Sequence, residues 1–279
     1  MQDFEFGSRT FIMGILNVTP DSFSGDGVYR DIASALKQAE LMISQGADII
    51  DVGGESTRPG SESVPVEEEI KRVVPVIKEL TKKFKVPVSI DTQKSEVAHR
   101  ALDNGASIVN DISGLDHDKK MAGIAGRYKA KVVIMHMKGE PLSMQKNPTY
   151  ESVVDEIINR LKFLIHQAVE RGVDKKDIII DPGIGFGKTF EHNLEILKNL
   201  GQFKKLEQPI LIGTSRKSFI GEVLGVEPKD RIFGTAASVA IAIKNGADII
   251  RVHDVKEMRE VAKVVDAITR ERKTHLTKF

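Results

Sequence analysis

Five residues recur almost unchanged at three places in the chain: Gly46-Ala-Asp-Ile-Ile, Gly105-Ala-Ser-Ile-Val and Gly246-Ala-Asp-Ile-Ile. Each follows apolar residues at helical spacing and opens a run of β-branched residues. Each therefore reads as a joint where a helix stops on glycine and a buried strand begins. The offsets are 105 − 46 = 59 and 246 − 105 = 141 residues. They fit two and four units of about 30–35 residues, as a barrel of about 250 residues requires. Strands this apolar are buried on both faces, as parallel strands are.

The same alternation runs through the rest of the chain. Strands are predicted over 10–18, 47–52, 86–91, 108–112, 131–137, 177–181, 209–214 and 247–252. Helical segments follow each, over 32–45, 66–84, 95–104, 118–128, 150–171, to 200, through 244, and 255–269. No long polar linker and no shift of composition divides the 279 residues. A doubly wound open sheet is the structural alternative, but it rarely yields eight even units. The fold expected is α/β, a (β/α)8 TIM barrel forming one domain over 1–279.

Composition narrows the function. With 41 basic and 40 acidic side chains, neither nucleic acid nor an anionic membrane is expected as the main partner, and any anion site must be local. The absence of cysteine excludes disulfides, a thiolate zinc site and a cysteine nucleophile. No basic-then-apolar leader opens the chain, and its apolar runs are far shorter than the roughly 18 residues of a membrane span, so a soluble, cytoplasmic protein is expected.

The stretch 177–193, Asp-Ile-Ile-Ile-Asp-Pro-Gly-Ile-Gly-Phe-Gly-Lys-Thr-Phe-Glu-His-Asn, shows the design of each unit. A buried strand ends in a carboxylate, Asp181, beside a glycine-rich loop. Gly187-Lys188-Thr189 imitates the end of a phosphate-gripping loop, but that motif needs glycine at 182, where Pro182 removes a backbone donor. The dinucleotide pattern G-x-G-x-x-G fails as well, because Lys188 stands where its third glycine belongs.

In such barrels the reacting groups sit at the C-terminal strand ends. Those ends carry Asn17, Asp51, Asp91, Asn110, His136, Asp181, Ser215 with Lys217, and Arg251 with His253. Asp51, Asp111 and His136 are read as caps or supporting hydrogen bonds. The rest converge on a site for a flat, polar small molecule. Asp91, Asn110 and Asp181 can read ring N–H and amino donors in plane, and Lys217 can answer a ring carbonyl or nitrogen. Arg251 and His253 lie two apart on the last strand, hence on one face, and can clamp an anion near Asn17. Asn17 can also offer an oxygen to Mg²⁺, which binds through few protein ligands plus substrate phosphates.

These motifs resemble the dihydropteroate synthase family: Asn17-Val-Thr-Pro-Asp-Ser-Phe-Ser24, Gly53-Gly-Glu-Ser-Thr-Arg-Pro-Gly60, Ser89-Ile-Asp-Thr92, Asn110-Asp-Ile-Ser113, Met135-His-Met137, Asp181-Pro-Gly-Ile-Gly-Phe186, Gly213-Thr-Ser-Arg-Lys-Ser218 and Arg251-Val-His253. The resemblance covers essentially the whole chain, in order. It implies condensation of 6-hydroxymethyl-7,8-dihydropterin pyrophosphate with p-aminobenzoate, releasing pyrophosphate, by a homodimer that uses Mg²⁺. It places the pterin on Asp91, Asn110, Asp181 and Lys217, with Met135, Phe186 and Gly213 lining its pocket and Arg251 stacking on the ring. Pyrophosphate falls to Asn17, Arg251 and His253, with Asn17 the metal ligand. p-Aminobenzoate, and the sulfonamides that compete with it, falls to Phe23, Thr57, Arg58, Pro59 and Ser218. Catalysis is assigned to Asn17, Asp91, Lys217, Arg251 and His253.

The first loop departs from the family's Ser-Phe-Ser-Asp-Gly-Gly, reading Ser22-Phe-Ser-Gly-Asp-Gly27, so Asp26 is displaced by one residue. The loops 18–27 and 53–60 are expected to close the site. A folate-to-corrinoid methyltransferase would share the pterin readers but needs no pyrophosphate clamp. A non-catalytic pterin-binding paralogue would tolerate loss of Lys217, Arg251 or the Thr57-Arg-Pro loop, all of which are present.

Overall fold

The computed structural model of the chain describes residues 4–19, 32–56, 61, 63–139 and 143–270. The strands are β1 (Phe11–Asn17), β2 (Ile49–Gly53), β3 (Val88–Asp91), β4 (Ile108–Asp111), β5 (Lys131–Met135), β6 (Ile178–Asp181), β7 (Leu211–Ile212) and β8 (Ile249–Val252). The helices are α1 (Ile32–Ser44), α2 (Val66–Lys83), α3 (Ser95–Asp103), α4 (Met121–Tyr128), α5 (Val153–Glu170), α6 (Phe190–Lys198), α7 (Ser218–Leu224), α8 (Ile232–Lys244) and α9 (Val255–Thr269). All pairings are parallel, in the order β6-β5-β4-β3-β2-β1-β8-β7. A parallel bridge between Ile180 and Ile210, with the Ile180 N–H on the Pro209 carbonyl at 2.9 Å, closes β6 onto the start of β7. The TIM barrel read from the sequence is the fold observed.

The recurring joint has a physical cause. At Gly46, Gly105 and Gly246 the backbone takes φ of 100°, 96° and 109°, a conformation that costs a side chain but not glycine. The next N–H in each case, on Ala47, Ala106 and Ala247, reaches back to Met42, Ala101 and Ala242. This is a Schellman cap, which satisfies the last helical carbonyls and turns the chain into the following strand. Val173 on Ala168 and Ala130 on Ala125 repeat the bond, the latter with Lys129 at φ 52°. The glycine-alanine pattern therefore under-reported the motif.

Apolar side chains form an outer layer between sheet and helices and a smaller inner one that fills the barrel. The inner set includes Ile49, Ile108, Val133, Ile179, Leu211 and Ile249. Because strand side chains alternate, residues two further along share that inward face nearer the C-terminal mouth. They are Asp51, Asn110, Met135, Asp181, Gly213 and Arg251, and Asp91 follows Ser89 in the same phase. One step of the pleat separates the barrel's core from its polar mouth.

Most element ends shift by one to three residues from the sequence reading, and the changes around β5 and β7 bear on the site. β5 ends at Met135, so His136 lies just beyond it; its N–H still donates to Asp181 at 2.9 Å, but its carbonyl turns to the Lys188 amine at 3.2 Å. β7 is short: Pro209 before it has no N–H to donate, and the chain turns soon after it, at Ser215 and Arg216. Two helices follow it, α7 and α8, joined through a 3-10 turn at Pro228–Asp230.

Candidate active site

The mouth is held together by one guanidinium. Arg251 Nε donates to Asp51 Oδ2 at 2.6 Å, and Nη2 donates to Asp91 Oδ2 at 2.7 Å. Asp51 Oδ2 also accepts from Asn110 Nδ2 at 3.1 Å. Burial works against charge on Arg251, but Asp51 and Asp91 outweigh it and hold its pKa above the ordinary value. Burial pushes Asp91 up to about 7 against the pull of Arg251, with Asp51 and Glu69 adding to the rise. Asp91 divides its oxygens: Oδ2 is committed to Arg251, while Oδ1 is buried without a partner among the described residues. A buried carboxylate oxygen left in that state is poised for a donor on a ligand.

Asp181 and Lys217 form the opposite wall. Burial raises the Asp181 pKa, opposed chiefly by Lys217 and by the Gly183 N–H, which donates to Oδ1 at 2.7 Å. Burial lowers Lys217 to about 8, opposed by Asp181. Although the Lys217 residue keeps some surface, its amine lies deep, donating to the Ile184 carbonyl 4.5 Å from the Phe186 ring centroid. Its inward course follows from the turn before it. Arg216 sits at φ 58°, its N–H on Thr235 Oγ1 at 3.1 Å and its Nε on Asp254 at 3.0 Å. That anchor sends Arg216 outward and the next side chain into the mouth.

The loop between Asp181 and α6 is pinned rather than open. A side chain on Gly183 would place its Cβ 2.0 Å from the His136 carbonyl oxygen, so the backbones touch as only glycine allows. The Gly185 N–H is taken by Asn193 Oδ1 at 2.7 Å, and Tyr150 donates its hydroxyl to the Gly187 carbonyl at 2.8 Å. With the Gly183 and Gly185 amides occupied, the loop does not cradle a phosphate, as Pro182 already implied.

Lys188, used in the sequence only to reject motifs, is the loop's buried anchor. Its amine lies 2.9 Å from the Phe186 carbonyl, 3.2 Å from the His136 carbonyl and 3.1 Å from His136 Nδ1. Burial pushes its pKa down, with Asp181 opposing. Three acceptors nevertheless match the three N–H bonds of an ammonium, so we assign the charged form, with the His136 proton on Nε2. His136 itself is driven down to about 2 by burial and by Lys188. Nothing in the sequence spacing marks this pair.

Asn17 ends β1 opposite Gly53, and a Cβ on Gly53 would stand 3.6 Å from both Asn17 Oδ1 and the Asp91 Cβ. The amide and the carboxylate therefore flank a gap that glycine leaves clear. His253 Nδ1 lies 3.0 Å from Ser215 Oγ, which also accepts the His253 backbone N–H at 3.2 Å. Met135 is buried beside this layer, Phe186 and Gly213 are half-buried, and Ser218 is exposed at the start of α7. Phe23, Asp26, Thr57, Arg58 and Pro59 lie outside the described residues. The base of the second loop is described: Arg72 Nη1 donates to the Gly54 carbonyl at 2.9 Å, and Lys94 joins Glu55 to the buried Glu69.

Of the three residues read as supports, Asp111 caps its own turn, accepting from the Ser113 N–H and hydroxyl at 2.8 and 2.7 Å, and His136 braces the loop. Asp51 is a support as well, accepting from both Arg251 and Asn110. Among the described residues no three His, Asp or Glu side chains converge as a metal cage. The donor set at Asn17 fits a hard cation that keeps most of its ligands as water and substrate oxygens.

The family described as pterin binding enzyme matches residues 13–253. A dihydropteroate synthase of Clostridium beijerinckii is 50% identical over 270 residues, covering 96% of this chain and 98% of the relative. A dihydropteroate synthase structure from Clostridium difficile, solved in the presence of pteroic acid, superposes with a TM-score of 0.91 at 49% identity. It covers 96% of this chain and all of that one. A Yersinia pestis dihydropteroate synthase in complex with a sulfonamide drug gives 0.90 at 43% identity, with 94% of each chain covered.

Proposed function

The chain belongs to the pterin-binding enzymes as a dihydropteroate synthase, and from that premise we propose how its own residues divide the work. The reaction joins 6-hydroxymethyl-7,8-dihydropterin pyrophosphate to p-aminobenzoate, giving 7,8-dihydropteroate and pyrophosphate. The observation that carries the assignment is the acceptor array at the mouth. Asp91 keeps one buried oxygen unpartnered, and Asn110 and Asp181 stand on the same inward face. The 2-amino group and ring N–H of a pterin are the donors such an array reads. Lys217 supplies the complementary donor, and Met135, Phe186 and Gly213 border the ring.

Arg251 keeps further N–H bonds beyond the two given to Asp51 and Asp91, and with His253 and Asn17 it holds the pyrophosphate. Ser218, with Phe23, Thr57, Arg58 and Pro59, takes p-aminobenzoate. Asn17 is the protein ligand of Mg²⁺, which when bound neutralises charge on the phosphate oxygens.

An aryl amine is a poor nucleophile, its lone pair delocalised into the ring, whereas the dihydropterin can push electrons toward its methylene carbon. The C–O bond to pyrophosphate therefore breaks first, with Arg251 and His253 stabilising the departing anion. Asp91 and Asp181 hold the electron-poor ring through its N–H groups. The amine nitrogen then bonds to the methylene carbon and loses one proton to solvent, leaving 7,8-dihydropteroate and pyrophosphate. Positional isotope exchange within the pyrophosphate ester, without any amine, is the expected signature. A rate rising steeply with the nucleophilicity of substituted anilines, with no exchange, means direct displacement instead.

The function itself is tested by mixing both substrates with Mg²⁺ and measuring pyrophosphate release. Release that requires the pterin ester and accelerates with p-aminobenzoate is expected; none with a folded protein removes the assignment. A homodimer through α7 and α8 is supported by their exposed Val223, Leu224, Phe233 and Ile241, with Phe233 84% exposed. Sedimentation equilibrium with Phe233→Glu tests it. No described helix is long and apolar enough to cross a membrane, and a cytoplasmic location accords with that.

A further inference from the structure

Asp51 is itself assigned to no substrate, yet it is fully buried and hydrogen-bonded to two residues that are. Its Oδ2 accepts at 2.6 Å from Arg251, 200 residues away, and at 3.1 Å from Asn110, 59 residues away. A primary amide has two faces of opposite chemistry, a carbonyl acceptor and an NH₂ donor, and a half-turn exchanges them. Because a carboxylate only accepts, Asp51 holds the amide nitrogen of Asn110 on its own side and sends the carbonyl oxygen the other way. Arg251 fixes the carboxylate in turn.

On the pterin reading above, we propose that Asp51 is a positioning residue that sets the hydrogen-bond sense of Asn110, and through it the preference for a donor-bearing ring. With Asp51 in place, Asn110 presents an acceptor beside Asp91 and Asp181, and the site rejects a ring that offers a carbonyl where pterin has its amino group. Without Asp51, no other described residue is bonded to the Asn110 amide nitrogen to oppose the half-turn, and Asn110 can offer NH₂ to such a carbonyl. Selectivity then falls while the pocket's shape is kept.

The test compares two ligands by calorimetry: 6-hydroxymethyl-7,8-dihydropterin pyrophosphate and its dihydrolumazine counterpart, in which a carbonyl replaces the 2-amino group. Wild-type protein is expected to prefer the pterin, and Asp51→Asn to narrow that preference about tenfold, the scale of one mispaired buried hydrogen bond. The exchange variant Asp51→Asn with Asn110→Asp keeps one amide and one carboxylate in contact but fixes an acceptor at 110. It is expected to recover the preference. Should the single variant fail to fold, the exchange variant decides alone, since retained pterin preference is required of it. An unchanged preference in Asp51→Asn, a parallel loss for both ligands, or an exchange variant no more selective than the single one overturns the proposal. Wild-type protein that binds neither ligand removes the pterin reading and this inference with it, so the two failures are distinguishable.

Discussion

The two ends of the barrel treat buried charge in opposite ways. At the N-terminal end Asp48 accepts from both Arg9 amines at 2.9 and 2.7 Å and from the Ile12 N–H at 2.9 Å. Asp266 accepts from the N–H and hydroxyl of Thr10 at 2.8 and 2.7 Å and from Arg270 at 2.8 Å. Phe4, Phe6 and Phe11 pack there, with edge contacts of 5.1 and 5.5 Å onto Phe11. At the C-terminal mouth, by contrast, Asp51 and Asp91 each keep a buried oxygen with no partner among the described residues. One end is finished by the fold; the other is left for a ligand to finish. Unpartnered charge at the mouth carries a cost in stability that the paired end does not.

The largest effect is expected where the unpartnered charge is removed. Asp91 is raised from about 4 unfolded to about 7 folded, so the folded state binds the extra proton between those values. Its contribution is therefore fully present below about pH 4 and lost as pH rises through about 7, at up to about 1.4 kcal/mol per pH unit. Asp91→Asn should gain stability relative to wild type as pH rises from 5 to 8, while losing pterin binding. Urea unfolding across that range checks it, and a pH-independent difference contradicts the unfinished character of the mouth.

Asp181→Asn comes next. Replacing an acceptor by an amide mispairs one ring donor in a dry pocket, weakening pterin affinity by roughly 2–4 kcal/mol. Calorimetry should show that loss with the melting temperature held or raised; lost stability with unchanged affinity would make Asp181 structural.

Lys188→Met sharpens the boundary between the two regimes, because Lys188 is a mouth residue paired as fully as those at the base. It strands two carbonyls and His136 Nδ1, and should cost about 2–3 kcal/mol in chemical denaturation. The His136 ring ¹⁵N shifts should change with it.

The smallest effect is expected at the base. Arg9 is 38% exposed, pairs with Asp48 and lies 4.2 Å over the Phe11 ring. After solvent screening, Arg9→Ala should cost about 1 kcal/mol of stability and leave turnover unchanged. A change in kcat would carry the mouth's influence through the whole barrel.

The strand–helix order, the glycine joints and the inward phase of Asp91, Asn110, Asp181 and Arg251 were legible in the sequence, because each is local. A left-handed helix end needs glycine, and a pleat has period two wherever it occurs. Glycine alone misled in one respect, since Lys129 makes the same cap without it. The partners were not legible. Arg251 reaches Asp51 and Asp91 across 200 and 160 residues, and Lys188 reaches His136 across 52. Period and propensity say which way a side chain faces; only closure of the barrel, which sets the register of β8 against β1 and brings distant strand ends around one mouth, decides what it meets there.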